Sequence, residues 1–166
     1  MGWISINMIR TDRKHIKEYL DGNMCEGYSV VKSVMVGSTY YAAVRTPEGE
    51  VFGVVTLTSI DNSEYFNFSY KDIEESMGPN ESRCPDSILN MLSPTGNEWA
   101  NVWRNKCREY NQRKRVLRRY PAGKTISVDG RVYEKSVVRN RTMWVDWGKC
   151  VKLSEARIAE YGFEVV

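Results

Sequence analysis

The strongest constraint on the fold is a long helical pattern between Thr95 and Pro121. It opens with Thr95-Gly96-Asn97-Glu98, in which the Thr95 hydroxyl can cap the backbone while Glu98, three residues on, reaches back. It ends before Pro121, which does not continue a helix comfortably. Apolar side chains recur between these limits at spacings of three, four and seven residues: Trp99, Trp103, Cys107, Tyr110 and Leu117. We therefore predict one long amphipathic helix with these residues on its buried stripe.

Cations cover the other faces of this helix. From Arg104 to Arg119, eight of sixteen residues are Lys or Arg. Six of them are candidate binding residues: Arg108, Arg113, Lys114, Arg115, Arg118 and Arg119. Such a stretch fits an ordinary solvated face whose long stems cover apolar surface, a nucleic-acid contact, or docking onto a negatively charged partner.

The charge of the 166-residue chain is unevenly divided, although the formal net charge is only +3. Residues 1–98 contain 8 Lys and Arg against 14 Asp and Glu, whereas residues 99–166 contain 16 against 7. This division predicts one acidic and one basic surface, and the basic surface could bind phosphate backbones or an acidic patch of a protein. Alternatively, the two halves neutralise each other across an internal interface.

The residues before the helix have the pattern of strands. β-branched and aromatic runs predict two strands within 28–46, one over 51–59 and one over 62–70, after a short helix from Thr11 to about Leu20. Short turns join these strands. Because parallel strands need crossovers of about a dozen residues, we expect an antiparallel meander.

Strands and tight turns return after the helix. Residues 124–128 and 131–138 flank Asp129-Gly130, a pair typical of a two-residue hairpin loop. A brief helical turn is expected at 154–159, and further short strands are predicted at 141–147, 150–153 and 163–166. The C-terminal region should therefore form a small β-barrel-like structure or a second sheet.

The expected fold class is α+β, with an N-terminal antiparallel meander, one long basic amphipathic helix and the β-rich C-terminal region. The corresponding organisation is an acidic α+β lobe over residues 1–98, the basic helix over 99–120 and a β-rich lobe over 121–166. One compact domain overall is the alternative, since 166 residues also suit a single domain.

A second candidate site follows the last predicted strand of the meander. Its binding residues would be Tyr70, Asp72, Glu75 and Met77. If Asp72 begins a helical turn, Asp72 and Glu75 share one side and could hold a hard cation, with Asp86 as a third acid. The alternative is that these acids stabilise the positive end of a short helix.

The sequence lacks the motifs that are typical of several classes of enzyme. Neither GxGxxG nor GxSxG occurs, and the four cysteines, which include no CxxC, accompany a single histidine, His15. We expect four reduced, mostly buried thiols, no catalytic residue, no metal and no cofactor, and we favour a protein that is not an enzyme. No apolar run could cross a bilayer and no signal-type segment opens the chain, which predicts a cytoplasmic protein without a membrane partner.

Four segments spread along the chain carry a resemblance. They are Met1-Gly2-Trp3, residues 36–43, the decapeptide from Tyr70 to Pro79 with Cys84-Pro85 after it, and residues 157–166. Together they resemble a family of small uncharacterised proteins encoded on phages, plasmids and conjugative elements of bacteria, and the decapeptide is the most specific match. The resemblance implies a mobile-element accessory protein. It implies no catalytic role, because the family has no established activity.

Three functions are compatible with these features. The first, favoured by the resemblance, is an anti-CRISPR-like inhibitor that binds and blocks a host nuclease or ribonucleoprotein complex through the acidic sheet or the basic helix. The second is direct binding of RNA or DNA, with helix cations on phosphates and Tyr133, Trp144 or Trp147 stacking on unpaired bases. The third and least favoured is a metal-dependent nuclease that uses Asp72, Glu75 and Asp86.

Overall fold

The computed structural model describes residues 4–9, 16–22, 24, 26–60, 65–72, 82–138 and 140–166. These residues form helices and antiparallel sheets, which confirms the predicted α+β class. The chain divides into two compact units, Met1–Cys107 and Arg108–Val166. The boundary falls within the long helix, so each unit includes part of it.

Five strands form the sheet of the first unit: β1 (Ile4–Ile9), β2 (Ser29–Val36), β3 (Thr39–Arg45), β4 (Val51–Ile60) and β5 (Tyr65–Asp72). Their order is β1-β5-β4-β3-β2, and every neighbouring pair is antiparallel. Strands β2 to β5 are therefore the predicted meander, and β1 adds an edge beside β5.

The core of the first unit lies on both faces of β3. Tyr40 belongs to the cluster that packs against α1 (Ile16–Gly22), which lies partly within the predicted first helix. Tyr41 belongs to the cluster on the opposite face, against α2 (Asp86–Leu89) and the beginning of the long helix. Because helices cover both faces, the five consecutive side chains from Tyr40 to Val44 are all buried.

The long helix is α3 (Glu98–Arg119), and it ends just before Pro121 as predicted. Its cap differs from the prediction. Asn97 Oδ1 accepts a hydrogen bond from the Ala100 backbone N–H at 3.1 Å, whereas Thr95 Oγ1 accepts from the Asn97 N–H at 3.1 Å. The predicted Thr95 cap is wrong because its hydroxyl closes the turn that leads into the helix, and Asn97 supplies the cap.

The buried stripe of α3 is confirmed for four of its five predicted residues: Trp103, Cys107, Tyr110 and Leu117. Trp99 is 65% exposed, so its predicted burial is wrong. Side chains on a helix lean towards its N-terminus, and Trp99 is in the first turn, so its ring is directed beyond the packed part of the helix. Ala100 begins the buried stripe instead.

The second unit contains a second sheet of five strands: β6 (Thr125–Val128), β7 (Arg131–Val138), β8 (Arg141–Asp146), β9 (Val151–Leu153) and β10 (Glu164–Val165). The order is β10-β6-β7-β8-β9 and the pairs are antiparallel. Of the two forms predicted for this region the second sheet is correct, because the strands described in this unit form no closed barrel. Helix α4 (Glu155–Tyr161) lies between β9 and β10 and is capped by Ser154.

The hairpin between β6 and β7 turns at the predicted pair. Asp129 has φ 49° and Gly130 has φ 73°. These are the left-handed conformations that both residues of a two-residue type I′ hairpin loop require. One side of the resulting sheet packs against α3 and α4 in a single hydrophobic core: Tyr110, Leu117, Ile126, Val128, Tyr133, Trp144, Ile158 and Ala159.

Candidate nucleic-acid interface

The part of α3 that belongs to the second unit exposes one polar face. At about 3.6 residues per turn, side chains four, three and four residues apart lie on the same side of a helix. Four exposed residues have this spacing, and we call them the arginine face: Arg108, Gln112, Arg115 and Arg119. On the opposite side, Tyr110 and Leu117 are only 7% and 0% exposed. The helix is thus held by its apolar side while the arginine face remains accessible.

Arg113 and Lys114, two of the six predicted cations, contact residues of the second unit. Arg113 Nη1 donates to the carbonyl oxygen of Ala159 at 3.4 Å, and its Nη2 lies 3.4 Å from Glu109 Oε2. Lys114 Nζ lies 5.7 Å from the centroid of the Tyr110 ring. Arg113 therefore binds the last turn of α4, where a cation is favourable, and by helical spacing both residues flank the buried stripe, away from the arginine face.

The end of α3 is held by a buried lysine of β7. Lys135 Nζ donates to the carbonyl oxygens of Leu117 at 2.7 Å and Arg118 at 3.2 Å, and lies 3.5 Å from Glu155 Oε1. The Lys135 side chain is only 6% exposed. Arg118, another of the six predicted cations, lies 3.7 Å from the same carboxylate through its Nε. Carbonyl oxygens that a helix end would otherwise leave without partners are thus satisfied by a cation.

The arginine face is in a region of excess positive charge. Between Arg108 and Arg119 the sequence contains a single acidic residue, Glu109, and its carboxylate is paired with Arg113. Residues 108–166 as a whole contain 14 Lys and Arg against 7 Asp and Glu. A face of this charge attracts anions at long range.

The three aromatic residues predicted to stack on bases have different positions. Tyr133 and Trp144 are 4% and 0% exposed, so neither ring is available, because both point to the side of the sheet that packs on the helices. Trp147 is 59% exposed. It precedes a tight turn in which Asp146 Oδ1 accepts from the Gly148 and Lys149 backbone N–H groups at 3.0 and 3.2 Å.

The second predicted site lies largely outside the described residues. Tyr70 and Asp72 are in β5, where the Asp72 backbone pairs with Val54 in strand conformation, so Asp72 is not within a helical turn. Glu75 and Met77 are outside the described residues. In the part of the chain that the structure describes, no three metal-binding side chains are grouped.

The cysteines are free thiols where the structure describes them. Cys84 and Cys107 are buried, and Cys150 is exposed. Cys25 and the single histidine, His15, lie outside the described residues.

Two residues of the site were not singled out from the sequence. Gln112 has no charge, and only its position relative to the exposed arginines, which helical spacing gives, marks it as part of the face. Lys135 lies in a strand, and nothing local in the sequence indicates that its side chain contacts the end of α3.

Comparison with protein-family models, with curated proteins and with solved structures finds no significant match to this chain. Of the helices within the described ranges, none combines the length and the apolar character that crossing a membrane requires.

Proposed function

We propose that the protein binds nucleic acid through the arginine face of α3. The observation that carries the proposal is the exposure of three arginines and one glutamine on one side of a helix whose opposite side is buried. Guanidinium groups bind phosphate oxygens in a planar, bidentate manner, and a linear set of them suits a polyanion.

The helical positions of the predicted cations support this choice of surface. Arg108, Arg115 and Arg119 are exposed and lie on one side of α3, whereas Arg113 and Lys114 flank the buried stripe. Along a helix axis that rises about 1.5 Å per residue, the Cα atoms of Arg108 and Arg119 are about 16 Å apart, enough to follow several phosphates.

The test compares two variants with the same loss of charge. In the face variant, Arg108, Arg115 and Arg119 are replaced by Gln; in the control variant, the exposed Arg131, Arg141 and Lys152 are replaced by Gln. Binding of a fluorescein-labelled 20-base-pair DNA duplex is measured by anisotropy at several salt concentrations. Far-UV circular dichroism checks that each variant is folded.

The expected result is a loss of affinity of at least about tenfold for the face variant and a smaller change for the control. Each phosphate contact contributes about 0.9 to the slope of log affinity against log salt, so the loss of two or three contacts should reduce that slope by about 1.8 to 2.7. Equal losses in the two variants would show that only net charge matters and would contradict the assignment to this face. A parent protein that binds no nucleic acid would contradict the function itself.

The anti-CRISPR-like inhibitor predicted from the resemblance remains a prediction, and it has a separate readout. A tagged protein is used to capture partners from a host lysate, with and without nuclease treatment. A nuclease-defence protein retained after the treatment would support the inhibitor. Partners that are all lost on nuclease treatment would support direct nucleic-acid binding.

A further inference from the structure

We infer that the arginine face recognises the major groove of B-form duplex DNA, rather than phosphates of any nucleic acid. This inference rests on the proposed function and names its substrate class. It follows from the shape of the helix, the chemistry of Gln112, the placement of the aromatic residues and the geometry of RNA duplexes.

The first step is the fit of a single helix to a groove. An α-helix with its side chains is about 10–12 Å across, and the major groove of B-DNA is about 12 Å wide, so the groove admits one helix. The arginine face runs straight along one side of α3 for about 16 Å, which corresponds to about five base pairs at 3.4 Å each. A face of this length matches one pass of a helix along a groove.

The second step is the presence of Gln112 between arginines. Gln112 is exposed between the arginines. Its amide can donate to a phosphate oxygen, but it carries no charge and adds nothing to the long-range attraction of a polyanion. A glutamine amide can form two hydrogen bonds with the base edge of adenine, and arginine can do the same with guanine. We assign base contacts to Gln112 and Arg115 in the middle of the face and phosphate contacts to Arg108 and Arg119 at its ends.

The third step concerns single strands, whose binding depends on exposed aromatic rings that stack on bases. The arginine face contains no aromatic residue. Tyr110 of the same helix is buried on the opposite side, and Tyr133 and Trp144 are in the core. Trp147 is exposed, but it lies at the turn after β8 and outside the arginine face.

The fourth step separates DNA from RNA duplexes. The major groove of an A-form RNA helix is deep and too narrow for side chains to read. A helix that presents its reading residues in one line therefore favours the B-form, and this distinction can be measured directly.

The first experiment measures the affinity of the intact protein for three labelled probes of the same 20-nucleotide sequence: a DNA duplex, an RNA duplex and single-stranded DNA. We expect the DNA duplex to bind at least about tenfold more tightly than either alternative. Trp147→Ala should leave the affinity for the DNA duplex unchanged. Equal binding of the three probes, or tighter binding of RNA or single strands, would overturn the inference while the proposed function stands.

The second experiment selects preferred sequences from a pool of randomised 20-base-pair DNA duplexes, with the parent and with Gln112→Ala. The parent should enrich a short motif, and Gln112→Ala should lose its preference at one position, with an affinity loss for the enriched site of about 5- to 100-fold. Its salt slope should not change, because no phosphate contact is removed. No enriched motif from the parent, or an identical motif from both proteins, would refute base recognition by Gln112.

These outcomes distinguish the two levels of the argument. If the face variant of the previous section loses binding while the probes are not discriminated, the proposed function is supported and the groove assignment is wrong. If the parent binds none of the probes, both are wrong.

Discussion

Replacing Lys135 should destabilise the second unit by much more than an exposed lysine would. We consider Lys135→Met, which keeps the apolar stem and removes the ammonium group. The ammonium donates to two carbonyl oxygens at the end of α3, at 2.7 and 3.2 Å, and lies 3.5 Å from Glu155 Oε1. All three of its hydrogens therefore have acceptors within reach.

The magnitude follows from these contacts. A hydrogen bond that involves a charged group contributes about 1.5–3 kcal/mol, so the short bond to Leu117 and the longer bond to Arg118 together contribute about 4 kcal/mol. Removing the buried ammonium also removes its desolvation cost, which offsets part of that sum, whereas Glu155 loses its buried partner, which adds to the loss. We expect the free energy of unfolding to fall by about 3 kcal/mol, within the range for removing one partner of a buried ionic contact.

Urea unfolding, followed by circular dichroism and by tryptophan fluorescence, measures this change. With a denaturant slope of about 2 kcal/mol per M, the midpoint should fall by about 1.5 M. The control is Lys152→Met on β9 of the same sheet, where the side chain is exposed and the expected change is below about 0.5 kcal/mol. If Lys135→Met and Lys152→Met have the same stability, Lys135 does not hold the end of α3 and the reasoning fails.

A double variant identifies which contact carries the effect. Glu155 is left with Arg118, at 3.7 Å, when Lys135 is replaced. If the cost of Lys135→Met comes mainly from the carboxylate left without its buried partner, adding Glu155→Gln should recover much of the stability. If the cost comes from the carbonyl oxygens of α3, as we expect, most of the loss should persist.

Two further predictions concern the first unit. Burial raises the pKa of Asp21, but hydrogen bonds from Lys17, Ser33 and Tyr40 and the charge of Lys17 outweigh it, so the pKa lies below its usual value of 3.8. The ionised Asp21 therefore contributes its full stability above about pH 4, and this contribution is lost as the pH falls through the lowered pKa. In urea unfolding between pH 7 and 2.5, the free energy of unfolding of the parent should fall more at acid pH than that of Asp21→Asn. Parallel curves for the two proteins would contradict this prediction. For the α3 cap, Asn97→Ala should lower the unfolding free energy by about 1 kcal/mol, whereas Ala at exposed Asn105 in the helix interior should not lower it. Equal effects of the two Ala variants in urea would show that Asn97 is not the cap.

Local signals in the sequence predicted much of the fold. Asp129-Gly130 fixes its hairpin because few residue pairs accept two consecutive left-handed conformations, and Pro121 ends α3 because its ring is incompatible with the next turn. The strands of the meander follow from residue type and short turns. These features depend on neighbours in the chain, which the sequence shows directly.

The errors arose where two local options compete or where packing decides. Thr95 and Asn97 are both good caps, and only the geometry of the entering turn selects Asn97. Trp99 has the right helical spacing but lies too near the helix start to be covered.

The candidate site was predicted as a set of cations but not as a surface. Spacing along a helix places Arg108, Arg115 and Arg119 on a different side from the other three. The contacts of Arg113 and Arg118, however, depend on the tertiary structure. Their acceptors are Ala159 and Glu155, about forty residues further along the chain. Lys135 could not be predicted for the same reason, because its acceptors lie on an element that is not its sequence neighbour.

The anchoring of α3 at Leu117 and Arg118 bears on the thermodynamics of any association at this helix. Many basic segments are random coils when alone and become helical only against their target, so part of the contact energy is consumed by the loss of conformational entropy. Here that ordering is completed when the chain folds. In the proposed complex, the three guanidinium groups would contact a polyanion from a backbone that is already helical, and complex formation should leave the far-UV circular dichroism of the protein nearly constant.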